Sequence, residues 1–395
     1  MSNNNQSKKQ REEVYTYIKG YDLEAISKAK VMVVGAGALG NEVLKNLALL
    51  NIGQILIVDF DIIEAHNLSR SVLFRPVDCD GRTKKSYTAA KRLKEINPFV
   101  KVKVINGDIL SDVGLGVFKR MDSIISCLDN LLARQSINRS AFKVDASWID
   151  GGLNDSSGMV ASYKQGHSCF ECNLSDDDRK TIQDKYSCPD KYRRYASEGR
   201  MPTTPINASI IAALQTQESM NEINQLHEDS ILGKSVKYFG KTVDMFTTIL
   251  NDKHEAYCLS NDTYSDIIPS ENLSADMLFD DFINWAKSYF KSDDITLMLD
   301  HDFIIQLMSE ESGKIFIVNK SRMALEDNFV DSLKESSNDV MHFKKTASEI
   351  DDEFIGKGLS LRDLGIPYLH IVYLLVDGKD FYVELTGDEH FLNFE

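Results

Sequence analysis

A glycine-rich turn between an apolar strand and a helix constrains the fold of this chain more than any other feature. Val31 to Val34 are consecutive apolar residues, and Gly35, Gly37 and Gly40 follow at once. The first glycine permits a tight bend, the second lets a phosphate approach the backbone, and the third lets the helix pack closely on the strand. The segment therefore predicts a parallel α/β sheet with a phosphate-binding turn.

Strands and helices alternate after this turn, as they do in a doubly wound sheet with helices on both faces. The pattern predicts helices at 41–50, 83–96, 131–141 and 206–222, and strands at 31–34, 54–59, 101–106, 123–127, 159–164 and 237–250. Residues 148–152 look turn-rich, and 176–204 look like a long surface loop. We therefore expect a Rossmann-like α/β domain over 26–262, with a cysteine-bearing loop at about 175–205, after an N-terminal lead-in at 1–25.

A second, smaller domain is expected over 270–395, beyond a linker-like stretch rich in Ser, Asn and Asp. Its predicted elements are one helix and four strands, at 275–290, near Thr296, near Lys314, at 369–376 and at 381–385. The last two runs flank Asp377 and Gly378, a pair that favours a tight hairpin turn. The domain is therefore predicted to be α+β.

The composition is that of an ordinary globular protein, with 43% hydrophobic and 27% charged residues among 395. The longest apolar run, at 369–376, is far shorter than the ~20 residues of a membrane-spanning helix, and residues 1–11 contain no apolar signal segment. The net charge of −15 argues against nonspecific binding to nucleic acid or anionic membranes. Six scattered cysteines suit a reducing compartment, so we expect a cytoplasmic protein.

Charged residues stand where the predicted strands end. Asp59 ends the second strand, where an acid accepts hydrogen bonds from ribose hydroxyls. Arg70 and Lys84 come later, and both can neutralise charge on a phosphate under attack, while Asp129 can hold a magnesium ion. Each residue alone is more often an ordinary surface charge. As an ordered set they favour chemistry at phosphorus over hydride transfer.

Seven motifs follow one another between about Lys30 and Leu250. They are Gly35-x-Gly37-x-x-Gly40, Asp59-x-Asp61, Asn67-Leu-Ser-Arg70, Gly81-x-x-Lys84, Cys127-Leu-Asp129-Asn130, Asp150-Gly-Gly152 and Cys169-Phe-Glu-Cys172. In this order they resemble the adenylation domain of ubiquitin-like-protein activating enzymes. They are similar, too, to the bacterial relatives that adenylate sulfur-carrier proteins for thiamine and molybdopterin synthesis.

The resemblance implies ATP-dependent adenylation of the C-terminal glycine of a small β-grasp protein, with release of pyrophosphate. It implies that the turn glycines and six polar side chains hold ATP and magnesium: Asp59 and Asp61 near the ribose, Asn67, Arg70 and Lys84 at the phosphates, and Asp129 at Mg²⁺. It further implies a ubiquitin-like partner, a conjugating enzyme, and a homodimer or pseudo-symmetric dimer.

The N-terminus departs from the family pattern. Family members commonly carry an Arg-x-x-Arg-Gln segment whose arginine reaches the ATP site of the partner subunit. Here the corresponding stretch is Val14-Tyr-Thr-Tyr17-Ile18, and Arg11 is the nearest arginine. That contribution is therefore missing, moved to Arg11, or supplied by another protein.

Cys188 is the candidate nucleophile. It lies within the predicted loop, and Lys185, Lys191, Arg193 and Arg194 supply the cations that favour a thiolate. The layout resembles activating enzymes in which a loop cysteine takes the acyl group from the adenylate as a thioester. The alternative is an ordinary loop cysteine or a metal ligand. Cys79 and Cys127 are expected to be structural.

Cys169-x-x-Cys172 has the spacing of half a structural zinc site. The family usually supplies a second cysteine pair, but here only Cys258 stands in that region, close to His254. A Cys₃His site is one prediction, and a metal-free site held by packing is the alternative.

Three functions stay open at this point. The first is an activating enzyme that forms the adenylate and then a thioester on Cys188. The second is an adenylyltransferase for a sulfur carrier. The third is a non-catalytic scaffold subunit of a heterodimer. The C-terminal domain loosely resembles the appended domains of activating enzymes, some of which are ubiquitin-like folds that recruit the conjugating enzyme.

Overall fold

The computed structural model describes residues 10–186, 203–252, 263–325, 327–336, 338–354 and 358–394. Strands are β1 Lys30–Val34, β2 Gln54–Val58, β3 Lys101–Ile105, β4 Ser123–Ser126, β5 Trp148–Asn154, β6 Ser157–Tyr163, β7 Lys234–Phe239, β8 Asp244–Ile249, β9 Ile268–Ser270, β10 Ile295–Ser309, β11 Ile315–Ser321, β12 Met341–Ile350, β13 Ile371–Val376 and β14 Lys379–Leu385. Helices are α1 Leu23–Lys28, α2 Ala38–Leu49, α3 Lys85–Ile96, α4 Leu115–Lys119, α5 Leu131–Lys143, α6 Asp176–Tyr186, α7 Pro205–Ile223, α8 Phe279–Phe290 and α9 Asp327–Leu333. None of the described helices is long and apolar enough to cross a membrane.

Eight strands form the first sheet, in the order β3-β2-β1-β4-β5-β6-β7-β8. The first five in this order run parallel, and β6, β7 and β8 continue the sheet in antiparallel fashion. This arrangement confirms the predicted Rossmann-like α/β fold. Strand order reverses between β1 and β4, and ligands bind at such a switch point in open α/β sheets.

The central strand β1 is buried on both faces because helices cover both sides of the sheet. Val31 and Val33 pack with apolar side chains of α2, α3 and α7. Met32 and Val34 face the opposite way and pack with side chains of α4 and α5. A parallel strand enclosed in this way has an uninterrupted apolar sequence, which is why the period-2 pattern is absent from it.

Three local predictions in this part of the chain were wrong. Residues 148–152 belong to strand β5 and not to a turn, since they pair with β4 and β6. Gly151 leaves room in this strand for the Gln215 side chain. An ideal Cβ on Gly151 would lie 2.4 Å from that side chain. The predicted loop at 176–204 begins with helix α6, and the predicted strand at 237–250 is the hairpin β7–β8.

The second sheet has the order β11-β10-β13-β14-β9, and β12 pairs with β10. Helix α8 and the hairpin β13–β14 confirm their predictions. Asp377 and Gly378 have φ values of 48° and 73°, and positive φ at both central residues is the geometry that an Asp-Gly pair favours. The strand predicted near Thr296 extends over 15 residues, and α9 and β12 are elements that the sequence did not predict.

A seam joins the two sheets, formed by α4 and the end of α5 on one side and by residues of β10, β13 and β14 and their connections on the other. The Gly116 amide donates to the Leu369 carbonyl at 2.9 Å. A Cβ on Gly116 would lie 2.4 Å from that carbonyl oxygen, so only glycine permits the approach. Lys119 pairs with the buried Glu384 at 2.9 Å.

Candidate nucleotide site

A cavity of about 450 Å³ opens at the carboxyl ends of the central parallel strands. Seven of the residues predicted from the sequence line it: Gly35, Gly37, Asp59, Asp61, Asn67, Arg70 and Asp129. Their strands are neighbours in the sheet although the residues are spread over almost a hundred positions. The topology therefore brings together the motifs that the sequence gives only as an ordered series.

The three glycines of the turn meet different steric demands. Gly35 has φ +93°, and an ideal Cβ there would lie 2.7 Å from the Cys127 carbonyl oxygen. A Cβ on Gly40 would lie 1.9 Å from the Gly35 carbonyl oxygen, so Gly40 lets α2 pack against the turn. Apart from Gly37 itself and its neighbours in sequence, no atom in the described part of the chain lies within 4 Å of an ideal Cβ on Gly37, which lines the cavity. Gly37 thus leaves room for a ligand, as the motif predicts.

Asp59 is buried at the end of β2 and holds the turn in place. Its Oδ2 accepts a hydrogen bond from the Ala36 amide at 2.7 Å, and its Oδ1 accepts one from the Asp61 amide at 2.8 Å. Burial raises the pKa of this carboxyl above its usual value, while the Lys85 charge and the Ala36 amide oppose that rise. Each oxygen has a second lone pair, so a ribose hydroxyl can still donate to it.

Lys84 is not among the residues that line the cavity, in contrast to its predicted place at the phosphates. Its backbone is extended just before α3, and its Nζ donates to the Phe60 carbonyl at 2.6 Å. Lys85, the first residue of α3, lines the cavity instead and pairs with Asp61 at 2.7 Å. Only 12% of the Lys85 side chain is exposed. The one-residue offset arises because the helix begins after Lys84, and adjacent residues at a helix start point in different directions.

Asn67 and Arg70 lie in and just after a short 3₁₀ helix at Ala65–Ser69. Asn67 is buried, and its Oδ1 accepts a hydrogen bond from the Glu64 amide at 2.9 Å. The Arg70 Nη1 donates to the His66 carbonyl at 3.2 Å. Both side chains line the cavity, and the short helix fixes their spacing.

Asp129 and Arg134 approach the cavity from the start of α5. Asn130 caps this helix, its Oδ1 accepting from the Leu132 amide at 2.9 Å, which leaves Asp129 at the rim. The Arg134 Nη2 donates to the Gly151 carbonyl at 2.8 Å, and its Nε lies 3.2 Å from Asp150 Oδ1.

Arg134 lines the cavity although the sequence motifs did not predict it as a site residue. The sequence does contain a clue to this role of Arg134. Arg134 stands four residues after Asn130, about one helical turn, so it lies on the same face of the helix as the cap. A cation that follows a cap by one turn, behind an acid at a strand end, is a pattern that a sequence search can use.

Arg11 lies far from the cavity of its own chain. Its Nη2 donates to the Ile96 carbonyl at 2.9 Å. Ile96 is the last residue of α3. The cavity is at the other end of that helix, about 18 Å away for 12 residues at about 1.5 Å each. A cation at a helix C-terminus is stabilising there, which gives Arg11 a local structural role.

Cys188, His254 and Cys258 lie outside the described residues. Cys169 and Cys172 are both buried, and their sulfur atoms are 3.2 Å apart, so they could supply two adjacent thiolate ligands. Within the described part of the chain, no group of three or more His, Cys, Asp or Glu is arranged to hold a metal. Burial raises the pKa of the Cys127 thiol, which suits the structural role expected for it.

The first part of this chain is similar in sequence to known proteins. The ThiF family profile matches residues 11–260. The SUMO-activating enzyme subunit 2 of Dictyostelium discoideum is 36% identical over 151 residues, which cover 38% of this chain and 22% of that protein. The ubiquitin-like modifier-activating enzyme 5 of the same organism is 26% identical over 281 residues, covering 63% of this chain and 68% of that protein.

A probable molybdopterin-synthase adenylyltransferase of Porphyra purpurea is 34% identical over 140 residues, covering 35% of this chain and 36% of that protein. Among solved structures, E. coli MccB with succinimide matches with a TM-score of 0.48 and 22% identity, covering 60% of this chain and 68% of that one. The matched stretch spans only 22% of the length of the SUMO-activating enzyme subunit 2 and 36% of the length of the molybdopterin-synthase relative.

Proposed function

This chain belongs to the ThiF family, and from that premise we propose that it uses ATP to adenylate the C-terminal carboxylate of a small ubiquitin-like protein. The observation that carries the proposal is the set of cations around one glycine turn. Lys85, Arg70 and Arg134 line the same cavity as Gly37, whose missing side chain leaves space at the start of a helix. A helix N-terminus with nearby cations suits a triphosphate.

The proposed reaction joins a carboxylate oxygen to the α-phosphorus of ATP and breaks the bond to the β-phosphate oxygen. The products are an acyl-adenylate and pyrophosphate. Arg70 and Lys85 stabilise the negative charge that builds on the phosphate oxygens, a contribution of about 3 kcal/mol for one preorganised contact. A magnesium ion, when bound, would neutralise phosphate charge, and Asp129 at the cavity rim is the residue suited to hold it.

A groove beside the cavity suits the tail of a protein substrate. Its volume is about 240 Å³, and it shares Gly152 and Leu153 with the nucleotide cavity. The groove runs past the β6–β7 strands toward β8, an edge strand whose six residues are all exposed. Met245, Phe246 and Ile249 present apolar side chains there. An extended C-terminal tail could follow this groove while the folded part of the substrate covers the apolar edge.

Cys188 is the proposed acceptor of the activated acyl group. Thr203, the first described residue after the segment that contains Cys188, lines the cavity. The chain therefore leaves that segment at the nucleotide site. In the proposed step the thiolate attacks the carbonyl carbon of the acyl-adenylate and AMP departs, which leaves a thioester.

Two further partners belong to the same proposal. The unit built on β10, β13 and β14 would recruit a conjugating enzyme that takes the thioester, and a second adenylation domain would pair with this one as a dimer.

The proposed structural zinc would use Cys169 and Cys172, whose sulfur atoms already lie close together. Metal analysis of the purified chain tests the zinc, and a folded metal-free preparation would contradict it.

The second candidate is a sulfur-carrier adenylyltransferase, which the similarity to the molybdopterin-synthase relative favours. Both candidates share the adenylation step and differ in the fate of the acyl-adenylate. An activating enzyme forms a thioester, which thiols and hydroxylamine both cleave, whereas a sulfur carrier continues to a thiocarboxylate.

The deciding experiment is ATP:pyrophosphate exchange by the purified chain with β-grasp proteins that end in glycine. We expect exchange that depends on the protein and disappears when its terminal glycine is removed. Nonreducing gels then separate the two candidates, since only an activating enzyme should form an adduct that both thiols and hydroxylamine cleave. That adduct should be absent from Cys188→Ser. ATP binding without exchange for any such protein would instead indicate a scaffold subunit.

A further inference from the structure

The buried side chain of Asn41 connects the glycine turn to the segment that carries Arg70, both of which line the nucleotide cavity. It lies in the first turn of α2 and is fully buried. Its Nδ2 donates to the carbonyl oxygens of Ala36 at 2.7 Å and Gly37 at 2.9 Å. Its Oδ1 accepts a hydrogen bond from the Leu73 amide at 2.8 Å. Both amide hydrogens and the oxygen are therefore used.

These contacts join segments with different tasks. Ala36 and Gly37 belong to the glycine turn, whose backbone faces the cavity. Leu73 is buried three residues after Arg70, and it anchors the chain that presents Arg70 to the same cavity. The Asn41 side chain therefore ties the position of the turn directly to the position of the segment that carries Arg70.

Asparagine is a poor residue for a helix interior, because its side chain competes for backbone hydrogen bonds. At position 41 that property is useful, since the carbonyls it reaches lie in the turn before the helix. A smaller or apolar residue would leave the Leu73 amide without its buried partner and free the turn to shift against Arg70.

We infer that Asn41 is a positioning residue for the phosphates of ATP, which sets the glycine turn and Arg70 at the separation that a triphosphate needs. The inference rests on the proposed function, because it assumes that the cavity binds ATP. Asn41 acts through the turn and the Arg70 segment and does not itself touch the ligand. Its effect should therefore fall on the phosphate part of the nucleotide and spare the adenosine part.

Asn97, at the C-terminal end of α3, provides a matched control. It is also fully buried, and it donates to the Ala48 carbonyl at 2.8 Å and to Asn51 Oδ1 at 2.5 Å while accepting from the Phe99 amide at 3.1 Å. It lies after the end of α3, away from the cavity. Asn41→Ala and Asn97→Ala thus remove similar buried hydrogen bonds at different places.

The experiment measures equilibrium affinities for ATP and for adenosine in wild type and both variants, together with the urea midpoint of unfolding. We expect similar losses in midpoint for the two variants. Asn41→Ala should weaken ATP binding about tenfold and adenosine binding less than about twofold, since a small displacement of binding groups has large effects. Asn97→Ala should change neither affinity.

A second readout needs no nucleotide. Amides of the turn at 35–40 should exchange hydrogen faster in Asn41→Ala than in Asn97→Ala. If Asn41→Ala does not fold, Asn41→Ser, which keeps a short hydroxyl, takes its place with the same expected order.

Equal losses of ATP and adenosine affinity, or equal effects of the two variants, would overturn the inference and leave the proposed function intact. Failure of the wild type to bind ATP would overturn both.

Discussion

The candidate nucleotide cavity and the seam between the two sheets use charged residues in opposite ways. At the cavity, Arg70 faces an open volume where a ligand can meet it, and the ion pair of Lys85 with Asp61 lines the same volume. At the seam, Glu384 is 2% exposed and is paired with both Lys119 and Arg120. Charges that face a cavity can bind and polarise a ligand, whereas charges neutralised inside an interface hold two units in one arrangement.

Asp300 repeats the seam pattern a short distance away. It pairs with Lys143 at 2.7 Å and with His370 Nε2 at 3.2 Å. The other nitrogen of His370, Nδ1, accepts a hydrogen bond from the Leu115 amide at 3.2 Å. Desolvation by the surrounding chain raises the pKa of Asp300, although 41% of its side chain stays exposed. The Lys143 charge and the His370 hydrogen bond outweigh this effect and hold that pKa well below its usual range. The contrast between the two regions predicts activity defects from cavity changes and stability defects from seam changes.

The largest effect is expected from Lys85. Lys85→Ala should lower the rate of ATP:pyrophosphate exchange by about 10²- to 10³-fold, the usual loss for one preorganised contact to a developing charge. Lys84→Ala is the matched control, and it should change the rate by less than about threefold because Lys84 contacts the Phe60 carbonyl. A larger loss for Lys84→Ala than for Lys85→Ala would return the phosphate role to Lys84.

An intermediate effect is expected at the seam from Glu384. Glu384→Gln should lower the free energy of unfolding by about 2 kcal/mol, less than for a fully buried pair because 40% of Lys119 is exposed. Urea unfolding followed by circular dichroism measures this change. Exchange activity per folded molecule should stay at the wild-type level.

Glu389 is the control for that change. It also pairs with Arg120, at 2.8 Å, but its side chain is 63% exposed. Glu389→Gln should change the free energy of unfolding by no more than about 0.5 kcal/mol. Equal losses for the two variants would mean that burial does not distinguish the two ion pairs.

The smallest effect is a pH dependence at Asp300. Its pKa in the folded chain is lower than the value of about 3.9 in the unfolded chain. The stability it contributes is therefore fully present above that unfolded value and is lost as the pH falls through the folded pKa. The effect should be smaller than that of Glu384, because solvent reaches 41% of the Asp300 side chain.

Urea unfolding of wild type and Asp300→Asn between about pH 6 and pH 2.5 measures this loss. We expect the wild type to be more stable above about pH 4 and the difference to shrink below it. A difference that stays constant over the whole range would show that Asp300 contributes through shape and not through its charge.

The sequence predicted those parts of the fold whose signals are local. The apolar run of β1, the glycine turn, the long helix α7 and the Asp-Gly hairpin each depend on residues within one short window. Strand β5 was missed because Gly151 and Gly152 look like a turn. A glycine fits at position 151 because the Gln215 side chain, from 64 positions later, fills the adjacent space. No local sequence pattern contains this contact.

The candidate site divides in the same way. Glycines with a positive φ or a close backbone neighbour, and acids at strand ends, follow from covalent geometry and strand direction, so the sequence by itself determined them. The start of α3 decided that Lys85, and not Lys84, lines the cavity. The position of the Arg134 side chain depended on its contact with β5. Tertiary structure decided these points because a side chain's direction is set by the elements packed around it, which come from distant parts of the chain.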